Sequence, residues 1–127
     1  MKKNMIILTL LGILIFGCKQ GVVTMVSPSE IKELSTLEKA QFVDIRTPEE
    51  YAEGYIEGFE NIDYLSDSFQ WDIEKLDKTK PIILYCRSGG RSGKCAALLL
   101  EKGFKEIYDL EGGIIKWKAQ GNTLVGN

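Results

Sequence analysis

Histidine is absent from all 127 residues of this chain. No Cys-His dyad, no Ser-His-Asp triad and no histidine-ligated metal can therefore be assembled from it, and a nucleophile must be activated by other means. Cysteine and proline are scarce at three each, and Cys18, Cys86 and Cys95 show no CxxC spacing, which argues against a zinc site. An excess of positive charge is also missing. Sixteen Lys and Arg face 18 Asp and Glu, a net charge of -2, which argues against a nucleic-acid binder. The longest apolar run, Met5 to Phe16, is too short to span a bilayer comfortably. There is no internal repeat and no low-complexity segment, and the length suits one domain with one modest core.

The most informative stretch that is present runs from Pro81 to Leu100. Pro81-Ile82-Ile83-Leu84-Tyr85 reads as a short buried strand, and Lys94-Cys95-Ala96-Ala97-Leu98-Leu99-Leu100 reads as a helix. Between them lies Cys86-Arg87-Ser88-Gly89-Gly90-Arg91-Ser92, so a cysteine sits where a strand becomes a helix. Two glycines permit a tight turn that gathers several N–H groups into one concavity, and the helix N-terminus adds partial positive charge. Arg87 and Arg91 add two fixed charges. The loop is expected to favour thiolate over thiol at Cys86 and to hold an anion with Arg87, Ser88, Gly89, Gly90, Arg91 and Ser92. Ser92 suits a helix cap or first-turn position better than substrate contact. Cys95, with Leu98 and Leu99 at i+3 and i+4, is expected to pack as a small apolar side chain. Its competing role is a resolving thiol for Cys86, for which the two Cα atoms must come within about 7 Å.

The rest of the chain alternates strand-like and helix-like segments. Val22 to Val26 reads as a strand. A helix starts at Ser27-Pro28-Ser29-Glu30, with Ile31, Leu34 and Leu37 at threefold spacing. Gln41 to Ile45 reads as a second strand, and Thr47-Pro48-Glu49-Glu50 starts another helix that ends near Gly54. Glu60 to Tyr64 is a short strand or extended loop, and Phe69, Ile73 and Leu76 form a helical stripe. After the cysteine loop and its helix, stopped by Gly103, come a strand over Lys105 to Tyr108 and a helix over Gly113 to Ala119. The alternation predicts an α/β domain with a mainly parallel sheet of about five strands and helices on both faces. Ligands of such sheets bind beyond the carboxyl ends of the strands, where Cys86 and Asp44-Ile45-Arg46 both fall.

At the N-terminus, Met1-Lys2-Lys3-Asn4 is a short basic region preceding the apolar run, the pattern of a signal peptide. Ile15-Phe16-Gly17-Cys18 resembles a bacterial lipobox, although Phe16 is bulkier than that position usually carries. Residues 1–17 are thus expected to be a lipoprotein signal, Cys18 the lipid attachment, and 18–21 a tether. The domain proper is expected over 22–122, with a tail over 123–127. The implied location is the bacterial cell envelope, facing the periplasm or exterior and anchored only through lipid.

Three motifs in order resemble the rhodanese (sulfurtransferase) homology domain. They are Val43-Asp44-Ile45-Arg46-Thr47-Pro48-Glu49-Glu50-Tyr51 with Gly54-Tyr55-Ile56-Glu57-Gly58, the Cys86 loop, and Tyr108-Asp109-Leu110-Glu111-Gly112-Gly113-Ile114 with Trp117. The family commonly reads Gly-His-Ile where this chain has Gly54-Tyr55-Ile56. The resemblance implies a Cys86 persulfide that takes sulfur from thiosulfate or a polysulfide and passes it to a thiol or cyanide. It implies no metal and no other cofactor, and Asp44 and Arg46 as supports of the active loop; a monomer is expected. Two alternatives stay open. One is a phosphatase, whose signature places arginine six positions after cysteine, where this chain has Ser92 and carries Arg91 at five. The other is a non-catalytic domain binding a partner through the same face.

Overall fold

The computed structural model describes residues 20–126. The expected signal peptide 1–17 and the lipid attachment at Cys18 lie outside the described residues. Five parallel strands form one sheet: β1 (Val22–Val26), β2 (Gln41–Asp44), β3 (Glu60–Asn61), β4 (Ile82–Tyr85) and β5 (Glu106–Leu110), in the order β1-β5-β4-β2-β3. The helices are α1 (Pro28–Leu34), α2 (Pro48–Ala52), α3 (Phe69–Ile73), α4 (Gly90–Glu101) and α5 (Gly113–Ala119). This is the α/β architecture that the alternation predicts.

β4 is the central strand and is buried along its whole length. Its alternate residues feed two cores. Ile82 and Leu84 join Phe69, Ile73, Cys95, Ala96 and Leu99 on the α3 and α4 face, while Ile83 and Tyr85 join Ile31, Ile114 and Trp117 on the α1 and α5 face. Burying each large aliphatic side chain is worth about 1.5–3 kcal/mol, so a strand apolar on both faces must lie mid-sheet.

Several element boundaries differ from the sequence reading; helix α3, for one, stops at Ile73, short of Leu76. Helix α1 stops at Leu34, and Leu37 is left exposed. The hydroxyls of Ser35 and Thr36 donate to the carbonyls of Lys32 and Glu33 at 2.6 and 2.7 Å, taking the acceptors that another turn would use. Strand β5 runs on to Leu110, two residues past Tyr108, and so carries Asp109 into the interior. Beyond α5 the chain returns to the body: Val125 and Tyr55 exchange backbone hydrogen bonds at 2.9 and 3.0 Å, and Trp117 Nε1 donates to the Thr123 carbonyl.

Candidate active site

The cysteine loop connects β4 to α4, at the carboxyl end of the sheet. Gly89 takes a φ of +112°, which side chains with a Cβ rarely adopt, and this reverses the chain into the first turn of α4. The reversal brings the Gly89 N–H to 3.0 Å from Cys86 Sγ. Cys86 itself is recessed, with 1% of its surface exposed. Above it the loop is open: a Cβ placed on Gly90 or Gly93 would meet nothing within 4 Å.

The other side of the loop rests on α5. Ile114 N–H donates to the Cys86 carbonyl at 3.0 Å, and Ile115 N–H donates to the Arg87 carbonyl at 3.1 Å. This approach requires glycine at position 113, where φ is +60° and a Cβ would lie 2.5 Å from both loop carbonyls. Glu111-Gly112-Gly113 is therefore more than a turn. It lets the amino end of α5 hold the backbone on either side of the nucleophile's peptide.

The strand ends are locked by a buried network. Arg46 Nε lies 3.0 Å from both Asp44 carboxylate oxygens, and its Nη2 is 2.7 Å from Oδ2 and 2.8 Å from the Gly54 carbonyl. Burial opposes the Arg46 charge, but the hydrogen bonds and charge of Asp44 more than offset it and raise the guanidinium pKa. Tyr85, the residue before Cys86, donates its hydroxyl to Asp44 Oδ2 at 2.6 Å and accepts from Ile56 N–H at 3.0 Å. Burial first, then the Asp44 charge, raises the phenol pKa far above its ordinary value. Asn61 Nδ2 closes the network by donating to the carbonyls of Asp44 and Arg46. Asp44 and Arg46 thus fix the frame from which Cys86 projects, and Tyr85 and Asn61 belong to the same frame.

The two loop arginines part company. Arg91 is expected to face an anion in the loop, yet its guanidinium turns to Glu50 of α2, with Nη1 at 2.6 Å from Oε1 and Nη2 at 2.8 Å from Oε2. The hydrogen bonds from Arg91 hold the Glu50 carboxyl down at about 2, against a cost of burial and with help from Thr47. Glu50 also closes a capping box with Thr47, so the pair ties the first turn of α4 to the first turn of α2. Arg87 stays exposed, forms no ion pair among the described residues, and lines a pocket of about 220 Å³ with Arg46, Glu50, Glu53 and Lys118.

Of the remaining loop residues, Ser88 and Gly90 are exposed beside the opening. Ser92 points inward: it is fully buried in the first turn of α4, its Oγ 3.4 Å from Cys86 Sγ and donating to the Gly89 carbonyl at 3.2 Å. Cys95 is a free thiol packed in the α4 core, and burial, with the charges of Asp109 and Cys86, pushes it up to about 12. It remains a neutral thiol at physiological pH. Tyr55 fills the family's histidine position with packing, its ring stacked on Tyr51 at 4.0 Å. Among the described residues no group of three His, Cys, Asp or Glu side chains is placed to hold a metal, and no helix is long and apolar enough to cross a membrane.

Glu50, Tyr85 and Gly113 shape the surroundings of Cys86, and the sequence reading, which names them only within motifs or elements, assigns none of them a site role. A capping box marked Glu50 locally, but only the fold brings it to Arg91. Comparison with known proteins is consistent with this geometry. The model of the Rhodanese-like domain matches residues 27–120. The "Uncharacterized protein YqhL" of Bacillus subtilis is 44% identical over 79 residues, which is 62% of this chain and 61% of that protein, so this chain spans less than two thirds of its length. "Thiosulfate sulfurtransferase GlpE" of Pseudomonas aeruginosa is 33% identical over 94 residues, covering 74% of this chain and 83% of that one. Among solved structures, the rhodanese-like domain protein from Staphylococcus aureus superposes with a TM-score of 0.69 at 28% identity, over 82% of this chain and 98% of that one.

Proposed function

The chain belongs to the rhodanese-like domain family, and from that premise we propose that it is a sulfurtransferase carrying sulfane sulfur on Cys86. The Cys86 thiolate attacks the outer sulfur of an anionic donor such as thiosulfate or a polysulfide. The donor's S–S bond breaks, sulfite or a shortened polysulfide departs with the bonding electrons, and Cys86 holds a persulfide. A thiol or cyanide then takes the outer sulfur and returns the thiolate. No metal or other cofactor takes part.

The observation that carries this reading is the recessed Cys86 sulfur, which accepts the Gly89 N–H at 3.0 Å under an open glycine loop. A recess of this kind suits the slender sulfur end of a donor better than a bulky ester. Arg87, Ser88 and the loop amides face the opening and hold the donor's anionic oxygens, each charge-assisted contact being worth about 1.5–3 kcal/mol. The phosphatase alternative loses its main support because Arg91, which would have to clasp a phosphoryl group, is held in both of its forks by Glu50. Residues 1–17 act as a lipoprotein signal in this reading, with Cys18 acylated at the envelope. Loss of membrane association in Cys18→Ser tests that part separately.

The test is Cys86→Ser. We expect thiosulfate-to-cyanide transfer to vanish, with an unchanged circular-dichroism spectrum. Mass spectrometry of the wild-type chain after thiosulfate treatment should find one added sulfur on the Cys86 peptide. Transfer retained by the variant, or no such adduct, overturns the reading.

A further inference from the structure

On the α4 face of β5 lies a buried carboxyl group that forms no ion pair among the described residues. Asp109 is 1% exposed, in the middle of the sheet, where its neighbours on β1 and β4 are Met25 and Leu84. Its Oδ1 has no hydrogen-bond partner among the described residues. Asp109 lies on the face of β5 that carries Ile107 and packs against α4, where the Ser92 hydroxyl comes close enough to lower the carboxyl's pKa; the same Oγ lies 3.4 Å from Cys86 Sγ. A buried acidic oxygen left unsatisfied costs about 1–3 kcal/mol or more, and a strand that merely needed packing would carry an apolar residue here.

We propose that Asp109 is a positioning residue that accepts the Cys86 proton through Ser92, so that the chain of groups Cys86, Ser92, Asp109 replaces the histidine this protein lacks. In the relay the Cys86 S–H bond breaks as its proton passes to Ser92 Oγ, and the original Ser92 O–H bond breaks as that proton passes to Asp109. Two O–H bonds form, one negative charge moves from carboxylate to sulfur, and no proton leaves the interior. The sulfur anion then accepts hydrogen bonds from both Ser92 and Gly89. When the second half-reaction frees the thiolate, the same path returns the proton.

The environment of Asp109 suits the role. Burial pushes its carboxyl up to about 6, with the Ser92 hydrogen bond working partly against it, so near neutrality it is ionised yet basic enough to take a proton. The titratable group facing it from α4 is Cys95, which stays neutral, and the flanking β1 and β4 residues carry no charge. Ser92 Oγ has one proton and three neighbours, Cys86 Sγ, the Gly89 carbonyl and Asp109, so the state of Asp109 decides which way the hydroxyl points.

The inference rests on Cys86 being the sulfur carrier, and its test is independent of sulfur transfer. The rate of iodoacetamide alkylation at Cys86 in the full chain, followed by peptide mass spectrometry, is measured against pH. The wild-type rate should climb through a step near 6 that reports the Cys86–Ser92–Asp109 unit as a whole. Asp109→Asn keeps the shape but cannot take a proton. It should lose that step and react about tenfold or more slowly at pH 6.5. Ser92→Ala should show the same loss, and the double variant no further loss. A wild-type profile without the step, or an Asp109→Asn profile that superimposes on it, overturns the proposal. Should Asp109→Asn fail to fold, a step retained in Ser92→Ala overturns it equally. Transfer surviving in Cys86→Ser would instead sink the carrier reading, leaving the alkylation profile to judge the relay.

Discussion

Replacing Glu50 by Gln removes one charge while keeping the size of the side chain, and its consequence can be worked from the structure. The Glu50 carboxyl is held at about 2 against an ordinary 4.5, chiefly by the two hydrogen bonds from Arg91. A shift of about 2.5 units corresponds to about 3.4 kcal/mol at pH 7. That figure is a ceiling, because the two side chains keep 23% and 26% of their surface in water and the Thr47 contacts survive in part. Screening reduces the expected loss to about 1–2 kcal/mol. The folded pKa is depressed, so this stabilisation is present above 4.5 and drains away as pH falls toward 2. By pH 3 the unfolded-state carboxyl is almost wholly protonated, and only about two-fifths of the pH 7 contribution remains. Urea unfolding of wild type and Glu50→Gln at pH 7 and pH 3 should therefore show the gap shrinking by more than half. An equal cost at both values would mean that the clamp acts by packing, and no cost at pH 7 would mean that it does nothing for stability.

Tyr85→Phe leaves the Ile56 N–H unpaired and takes from Asp44 Oδ2 one of its three hydrogen bonds, the two from Arg46 remaining, which should cost about 1–3 kcal/mol and lower the urea midpoint at unchanged slope. A variant as stable as wild type would show that the network does not hold the strand end. Gly113→Ala drives a Cβ to within 2.5 Å of the Cys86 and Arg87 carbonyls at a φ of +60°, so the loop must lift off α5. Sulfur transfer should fall by about tenfold or more while far-ultraviolet circular dichroism keeps its native shape, and full activity would refute the claim that α5 sets the loop.

What could be read from the residues alone were the parts encoded locally. Apolar runs such as Ile82 to Tyr85 fix a buried strand by period and length, Gly103 stops a helix, and Thr47-Pro48 starts one. The parallel sheet follows from their alternation, and with it the placing of Asp44, Arg46 and Cys86 at its carboxyl end. The fate of polar side chains with several possible partners could not be read. Arg91 stands beside two glycines and a nucleophile in the sequence, yet its best acceptor lies 41 positions away on α2. The planar, bidentate geometry of guanidinium and carboxylate then outweighs an anion that is only transiently present.

Asp109 escaped for the opposite reason. Asp is disfavoured in strands, so the sequence reading ends β5 at Tyr108, whereas the pairing of Val22 to Val26 with Glu106 to Leu110 carries the strand two residues further. Extension by two residues keeps the alternation, so Asp109 shares the α4 face with Ile107 and meets Ser92 beneath the nucleophile. A local rule broken inside a core, with no ion pair to compensate it among the described residues, is what a functional constraint on this position would produce. In the proposed relay the absence of histidine and the buried carboxylate belong together: where no imidazole is available to take a proton, a carboxylate carried on a strand offers the acceptor.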